Sequence, residues 1–244
     1  MTGSTSNIGR AIAVAYAAEG AHVVVSGRDE IRGEAVAAGI RDAGGRADWV
    51  RADLDGSAAA SAALAAEATE RLGGRLDILV NNAGIFPVST TLTLDEETFD
   101  RVVGVNLRAP FFLTQALVPA MIDAGGGVIV NLGSWISRLG VPTSSLYSAT
   151  KGALETLTRA WSAEFGPRGV RVNAVSPGVI RTPDLAPDSE YAGERLMRGT
   201  PAGRAGHPDA IAAAAVYLAS DDAAFVHGTV LDVDGGRVAV AVSA

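Results

Sequence analysis

Gly127-Val128-Ile129-Val130-Asn131-Leu132 is a short, almost wholly apolar run, and it decides the fold. A strand of this composition is buried on both faces, as in a parallel sheet covered by helices. Comparable runs occur at residues 22–26, 47–52, 76–81, 170–175 and 230–233. Helical, mostly Ala-rich stretches alternate with them at residues 9–19, 32–43, 57–72, 94–124, 145–165 and 208–220. The alternation predicts an α/β fold: a doubly wound parallel sheet in three α/β/α layers.

The length and composition of the chain fit one globular unit. With 244 residues, of which 48% are hydrophobic, the chain can bury a sizeable core, and we predict a single domain over residues 1–244. A net charge of −7 argues against nucleic acid as a partner. The chain has no cysteine and three scattered histidines, so we predict no metal site. Because neither a signal peptide nor a run of about 20 apolar residues stands out, we predict a cytoplasmic protein without a membrane partner.

The N-terminal segment lacks a strand that this fold requires. Residues 1–9 look like the turn between a first strand and its helix, yet no strand precedes them. That first strand is central in a doubly wound sheet, so its loss would leave neighbouring strands unpaired. We expect the natural product to start upstream of Met1. A lesser possibility is that the apolar tail, residues 238–242, pairs in place of the missing strand.

Residues 2–9, Thr-Gly-Ser-Thr-Ser-Asn-Ile-Gly, indicate a phosphate-binding turn. Backbone N–H groups and the start of a helix would face a pyrophosphate there. The candidate contacts are Gly3, Ser6, Asn7, Ile8 and Gly9. Asn7 stands where the middle glycine of such a turn is usual, and asparagine tolerates a left-handed backbone better than most residues. Taken alone, the motif fits a plain helix-capping turn equally well.

Three other strand ends carry candidate cofactor contacts. Arg28 follows the first predicted strand, where an acidic residue would bind the 2′-hydroxyl of NAD, and an arginine there favours the 2′-phosphate of NADP. Asp53 follows the next strand and either accepts a bond from adenine or caps a helix. The third strand leads into an Asn-Asn-Ala-Gly motif whose small residues let a cofactor pass close to the backbone, with the candidates Asn81, Ala83 and Gly84. A solvated arginine and an Asn-rich turn are the alternatives.

Tyr147 and Lys151 form a candidate proton-transfer pair. Lys151 is the single lysine of the chain, and on a helix it would share a face with a tyrosine four residues earlier. A cation beside a phenol lowers the pKa of the phenol from about 10. Ser134, at the end of the strand quoted first, can donate a hydrogen bond to a substrate oxygen. A surface pair and a turn serine are the alternatives.

Together these motifs resemble the short-chain dehydrogenase/reductase family, in its single-domain branch. The match runs from the turn at residues 2–9 through Asn106, Ser134, Tyr147 and Lys151 to Pro177-Gly178 and residues 232–236. The resemblance implies a Rossmann-like fold and NAD(P)-dependent hydride transfer between a carbonyl and a secondary alcohol. Asn7 and the absent first strand depart from the family pattern.

The resemblance also implies a role for each site residue. Tyr147 would be the general acid in reduction and the general base in oxidation, Ser134 would hold the substrate oxygen, and Lys151 would bond the nicotinamide ribose. Asn106 would position a water linking Lys151 to solvent, although a helix kink also accounts for an asparagine there. The residues beside the nicotinamide would be Pro177, Gly178, Ile180 and Thr182. Family members usually pair through long helices, so we expect a homotetramer or a homodimer.

The substrate cannot be identified from the sequence beyond a ketone or an alcohol. Residues 182–206 are punctuated by proline and glycine, which predicts a substrate lid. A partly apolar pocket is expected from residues that could equally belong to the core: Phe86, Trp135, Ile136, Leu139, Leu185 and Met197. Two other functions stay open: a non-catalytic dinucleotide sensor or scaffold, and a methyltransferase built on a similar sheet.

Overall fold

The computed structural model describes residues 1–142, 144–182 and 191–241. Its strands are β1 (His22–Gly27), β2 (Arg46–Arg51), β3 (Ile78–Asn81), β4 (Gly127–Leu132), β5 (Val170–Pro177) and β6 (Val230–Val233). The α-helices are α1 (Asn7–Ala18), α2 (Glu30–Asp42), α3 (Ala58–Arg71), α4 (Glu96–Val103), α5 (Ala109–Asp123), α6 (Ser145–Phe165) and α7 (Pro208–Ala219). The predicted alternation is confirmed, and every strand lies close to its predicted place.

All strand pairs are parallel. β1 pairs with β2, and the other four strands form a sheet in the order β3-β4-β5-β6. The first residues of the chain lie between the two sheets, because the Thr2 N–H donates to the Val80 carbonyl at 3.1 Å and the Ser4 N–H to the Ser26 carbonyl at 3.0 Å. This segment therefore bridges β1 and β3 at the central position, and it delivers the following turn to the carboxyl ends of the strands.

The C-terminal tail does not take the place of the missing strand. Residues 235–241 form turns and irregular backbone after β6, and Val238 packs beside Trp135. The alternative pairing is therefore wrong for residues 238–241, and residue 242 lies outside the described part of the chain.

Two apolar clusters lie on opposite faces of the strands. α1, α2 and α7 cover one face, and α3, α5 and α6 cover the other. Val23 and Val25 of β1 belong to the first cluster and Val24 to the second, as the two-residue repeat of a strand requires. This arrangement is the predicted three-layer, doubly wound fold, and it leaves the ends of the strands as the place for a ligand.

The helix predicted over residues 94–124 is interrupted. A π-helical turn, Gly104–Arg108, separates α4 from α5, and Asn106 lies buried within it. A π-turn inserts an extra residue and redirects side chains, often at functional sites. The apolar pattern continues through the turn, so the local sign of the interruption was Asn106, for which a helix kink was one alternative.

The combined stretch Glu96–Asp123 is the one helix in the described residues that is long and apolar enough to span a membrane by length and composition. Leu113, Leu117 and Met121 bury its apolar side in the second cluster. One side of this helix therefore belongs to the core.

Candidate active site

A groove follows the carboxyl ends of the strands in two sections. The larger section, about 850 Å³, is lined by the turn of residues 3–9, the ends of β1 and β2, and the segment after β3. The smaller section, about 420 Å³, lies beside β4, β5 and the start of α6. Both sections share the lining residues Asn7, Ile8, Asn82, Gly84, Ile85 and Tyr147. The groove is therefore continuous, and Tyr147 stands where its sections meet.

The turn at the start of α1 has the geometry of a phosphate-binding turn. Gly3 has a left-handed backbone, with φ 61°, and a Cβ at Gly9 would lie 2.2 Å from the Gly3 carbonyl oxygen, so both glycines are needed. Asn7 adopts φ 45°, which confirms that asparagine accepts the left-handed position of the usual glycine. The Ser6 side chain makes no capping bond to α1, which leaves N–H groups of the first turn for a ligand.

Asn82, and not Asn81, supports this turn. The Asn82 side-chain amide donates to the carbonyls of Thr2 at 2.9 Å and Gly3 at 2.8 Å, and Asn82 lines the groove. The Asn81 side chain is buried between strands, where its amide donates to Asn131 at 2.9 Å. Asn81 is not among the residues that line the groove, and the predicted cofactor contact at Asn81 stays a prediction. Successive side chains of an extended segment point to opposite sides, and this could have separated the two asparagines.

Ala83 and Gly84 line the groove next to Asn82, as predicted.

At the end of the groove beside β1 and β2, Arg28 is exposed and lines the groove together with Asp53. Asp29 caps α2 and accepts from the Arg32 backbone at 3.0 Å and from its Nε at 2.7 Å. These hydrogen bonds hold the pKa of Asp29 below its ordinary value. Asp29, which follows Arg28 in the chain, is thus engaged with Arg32.

Tyr147, Lys151 and Ser134 come together at the junction of the two sections. Lys151 Nζ lies 5.7 Å from the centre of the Tyr147 ring, so the two side chains share a face of α6 as predicted. The same ammonium donates to the Leu132 carbonyl at 2.7 Å. Burial lowers the pKa of Lys151 to about 8, although the charge of Glu155 opposes the shift.

The predicted acidification of Tyr147 by Lys151 is wrong for the protein by itself. Burial raises the pKa of Tyr147, and a hydrogen bond with the Ser134 side chain lowers it by less. The charge of Lys151 makes no resolved contribution to this pKa shift, and its ammonium donates to the Leu132 carbonyl. The sequence predicted that the two residues share a helix face, but it did not predict the larger effect of burial on the pKa of Tyr147.

Asn106 braces one wall of this cluster. Its side-chain amide donates to the Ile85 carbonyl at 3.0 Å and to Thr150 Oγ1 at 3.3 Å, and its Oδ1 accepts from the Ile85 N–H at 2.8 Å. A Cβ at Gly84 would lie 3.5 Å from both Asn106 Oδ1 and Lys151 Nζ. Asn106 therefore lies at the interruption of its helix and fixes the segment after β3. Its role in holding a water stays a prediction.

Comparison with known proteins gives the family of the chain. A family model described as enoyl-(acyl carrier protein) reductase matches residues 3–237. D-threitol dehydrogenase of Mycolicibacterium smegmatis is 39% identical, with 97% of this chain and 90% of that protein covered. The chain belongs to the short-chain dehydrogenase/reductase family. It is an NAD(P)-dependent enzyme acting on CH–OH or C=O groups.

Two further relatives of this short-chain dehydrogenase/reductase are informative. The crystal structure of a putative NAD(P)-dependent gluconate 5-dehydrogenase from Beutenbergia cavernae, with NADP bound at low occupancy, is 42% identical. It superposes with a TM-score of 0.88 and covers 98% of this chain and 95% of its own. A protein of Xanthobacter autotrophicus named inactive 2-(S)-hydroxypropyl-CoM dehydrogenase 2 is 40% identical, over 91% of this chain and 96% of its own.

In this short-chain dehydrogenase/reductase, the end of β5 and the segment after it form one side of the smaller groove section. Pro177, Gly178 and Ile180 line the smaller section, as predicted. A Cβ at Gly178 would lie 2.5 Å from the Asp234 Cα, so this glycine lets the segment pack against the loop after β6. Thr182 is half-buried and lies outside the groove lining.

The substrate side is apolar in the residues that the structure describes. The rings of Phe86 and Tyr147 are 4.6 Å apart, and Trp135 and Ile136 line the same section. Met197 is almost fully buried behind it, and Leu139 packs against the same small cluster. Of the predicted lid, Tyr191, Gly193 and Leu196 line the section, whereas residues 183–190, including Leu185, lie outside the described part. The described residues contain no group of three or more His, Asp or Glu side chains placed to hold a metal ion.

The groove fits a dinucleotide. The Asn7 Oδ1 atom is buried without a hydrogen-bond partner, at the junction where a ligand would pass. Of the five buried side-chain polar atoms without a partner in the described residues, Asn7 Oδ1 is the one whose residue lines the groove. Together with the glycine cradle at Gly3 and Gly9, this atom identifies the turn as a place for a polar ligand.

Proposed function

We propose that this enzyme transfers hydride reversibly between NADP(H) and a neutral, largely apolar ketone or secondary alcohol, with Tyr147 as the general acid and base. The observation that carries the proposal is that Ser134, Tyr147 and the buried Lys151 line one groove section together, at the place where it meets the other section. One section has the features of a dinucleotide site and the other those of an apolar pocket. A single domain would hold both.

A bound nicotinamide cofactor supplies or accepts the hydride. In reduction, the Tyr147 phenol gives its proton to the substrate oxygen while the Ser134 hydroxyl donates a hydrogen bond to the same atom. Each donor stabilises the developing negative charge by about 2–4 kcal/mol. Burial raises the pKa of Tyr147, so the phenol keeps its proton until an acceptor arrives. In oxidation Tyr147, as the phenolate, takes the proton from the alcohol oxygen while the cofactor would accept the hydride.

The NADP preference is supported by the far end of the groove. Arg28 is exposed there, and a guanidinium pairs well with a phosphate through two parallel hydrogen bonds. Asp29 is occupied by Arg32, so it is not available to accept a bond from the 2′-hydroxyl of NAD. The residues that would hold the pyrophosphate are Gly3, Ser6, Asn7, Ile8 and Gly9. Lys151 would bond the nicotinamide ribose, with Pro177, Gly178, Ile180 and Thr182 nearby.

The substrate class is supported by the lining of the smaller section. Its described side chains on the substrate side are Phe86, Trp135, Ile136, Val141, Tyr191 and Leu196. Such a lining excludes water and binds hydrocarbon, while Ser134 and Tyr147 fix one oxygen. Cyclic or alkyl-aryl ketones and their alcohols fit this pattern better than sugar acids.

The decisive experiment compares the parent with Tyr147→Phe on a panel of such ketones, following the absorbance of the reduced nicotinamide. We expect turnover to fall by roughly 10³-fold or more, because the variant lacks its proton donor. NADPH binding, followed by cofactor fluorescence, should stay close to that of the parent. A variant that turns over at the parental rate would refute the role of Tyr147.

A second candidate function is binding of the dinucleotide without turnover, because one relative is named inactive. Such a protein would show cofactor binding in the fluorescence titration and no consumption across the ketone and alcohol panel. The presence of Ser134 and Tyr147 in one groove section favours the catalytic alternative, because a sensor needs neither hydroxyl.

The assembly that fits this proposal is a homotetramer or homodimer in the cytoplasm. A groove of about 650 Å³ on α5 and α6 is lined mainly by apolar side chains: Leu107, Arg108, Phe111, Phe112, Ala153, Thr156 and Leu157. Phe111 is 42% exposed, and its ring contacts both Phe112 and Trp161. A second copy of the chain would cover this surface.

A further inference from the structure

A buried carboxylate lies behind the catalytic cluster. Glu155 is on α6, four residues after Lys151 and eight after Tyr147, so the three side chains share one face of the helix. Glu155 is 5% exposed. Buried carboxylates are rare and persist where they are paired or hydrogen-bonded. The proposed reaction does not use this group directly.

The carboxylate contacts the segment that carries Ser134. Glu155 Oε1 accepts from the Ser137 hydroxyl at 2.7 Å and from the Ser134 backbone N–H at 3.5 Å, and its Oε2 lies 4.0 Å from Arg138 Nε. A Cβ at Gly133 would lie 2.7 Å from Oε1, so the backbone there passes directly over the carboxylate. Both ends of the segment are therefore fixed by one side chain.

Arg138 extends the contact toward β6. Its Nη1 donates to Asp232 Oδ2 at 2.8 Å, its Nη2 also bonds Asp232 Oδ1, and Nη2 donates to Ser176 at 3.1 Å. The charges alternate from the groove outward in the order Lys151, Glu155, Arg138 and Asp232. Each buried charge thus has an opposite charge beside it, which is the condition for keeping ionised groups inside a protein.

We propose that Glu155 is a positioning residue for the reaction proposed above: it holds residues 133–138 so that the Ser134 hydroxyl stays on the Tyr147 phenol, and its charge supports the Lys151 ammonium. The proposal rests on the proposed function. The opposing effects of burial and of Glu155 on the pKa of Lys151 agree with it. Besides Glu155, Tyr147 is the titratable side chain of α6 that lies close to Lys151.

The test uses Glu155→Gln, which keeps the size and one acceptor oxygen but removes the charge. We expect kcat to fall roughly tenfold or more with the Kd for NADPH unchanged. The high-pH limb of the kcat profile should move to lower pH, because Lys151 loses its proton more readily. Glu164→Gln, an exposed glutamate on the same helix, is the matched control and should behave as the parent.

A second variant, at Ser137, tests the positioning role of Glu155 separately from its charge. Ser137→Ala removes the shortest bond to the carboxylate, and it should lower kcat while leaving the high-pH limb in place. Parental kcat in Ser137→Ala, or a parental kcat and pH profile in Glu155→Gln, would overturn the proposal. Ser137→Ala carries the test if the charge-removing variant does not fold.

The pH dependence of unfolding separates this proposal from the proposed function. In the parent, stability should rise above pH 8 as Lys151 releases its proton, and in Glu155→Gln the rise should begin at lower pH. This measurement needs no turnover. A parent without oxidoreductase activity would refute the proposed function, whereas an unshifted unfolding profile would refute the coupling of Glu155 to Lys151.

Discussion

Replacing Lys151 by methionine should change how stability depends on pH. Lys151 is 4% exposed, and burial lowers its pKa from 10.5 to about 8. Between these two pH values the unfolded chain holds a proton that the folded protein has released. The free energy of unfolding therefore rises with pH across this window, and the Lys151→Met variant lacks the rise.

The magnitude follows from the size of the shift. At pH 7 the buried ammonium destabilises the folded protein by about 3 kcal/mol, and roughly 2 kcal/mol of this is removed between pH 8 and pH 10. Other shifted groups act outside that window. Burial lowers the pKa of the Met1 amine from 8.0 to about 6, so its effect is complete near pH 8. Burial raises the pKa values of Tyr147 and Tyr16 above 10.0, so they reduce stability only at higher pH.

Urea unfolding followed by circular dichroism measures the effect. The parent should gain about 2 kcal/mol relative to Lys151→Met between pH 8 and pH 10. Arg159→Met removes an exposed charge from the same helix and should follow the parent across this window. Parallel profiles for the parent and Lys151→Met would refute a lowered pKa for the buried ammonium.

Three further variants test the part of the groove proposed to bind the cofactor, and a fourth variant, at Gly39, is a control. Arg28→Ala should raise the Kd for NADP roughly tenfold or more and leave that for NAD nearly unchanged, and equal losses in a fluorescence titration would contradict the NADP preference. Gly9→Ala should lose cofactor affinity and about 1–3 kcal/mol of stability to urea, because its Cβ would lie 2.2 Å from the Gly3 carbonyl oxygen. Gly39→Ala, on α2 with no atom within 4 Å of the added Cβ, should instead gain about 0.5–1 kcal/mol. Asn82→Ala should lose about 1–2 kcal/mol of stability, and an unchanged melting temperature would show that its bonds to the turn contribute little.

The fold could be predicted because its main signals are local and periodic. The run at Gly127–Leu132 and the helix at Ser145–Phe165 are found with the predicted bounds. Strands separated by helices must be parallel, and parallel strands end at one edge. The positions of Ser134, Tyr147 and the turn at residues 2–9 in one groove follow from that topology.

The remaining features depend on tertiary contacts that no local pattern carries. The π-turn at Asn106 interrupts a helix whose apolar pattern continues on both sides. The side chains of adjacent asparagines at 81 and 82 point to opposite sides of an extended segment, but the packing of β3 against β4 decides which of the two is buried. The pKa of Tyr147 rises because the phenol is desolvated, and the identity of its neighbour on the helix did not predict this.

Burial opposes both charged forms that the reaction needs, the Lys151 ammonium and the Tyr147 phenolate. The exclusion of water that strengthens the hydrogen bonds of Ser134 and Tyr147 to a substrate oxygen also lowers the pKa of Lys151. Glu155 reduces the effect of burial on Lys151, because it supplies a negative charge inside the protein without admitting water to the site. Its charge opposes the loss of the Lys151 proton, and its Oε1 atom accepts both hydrogen bonds from the segment that carries Ser134. The same carboxylate can therefore support proton transfer and orient its partner, which is why removing its charge should affect the pH profile and kcat together.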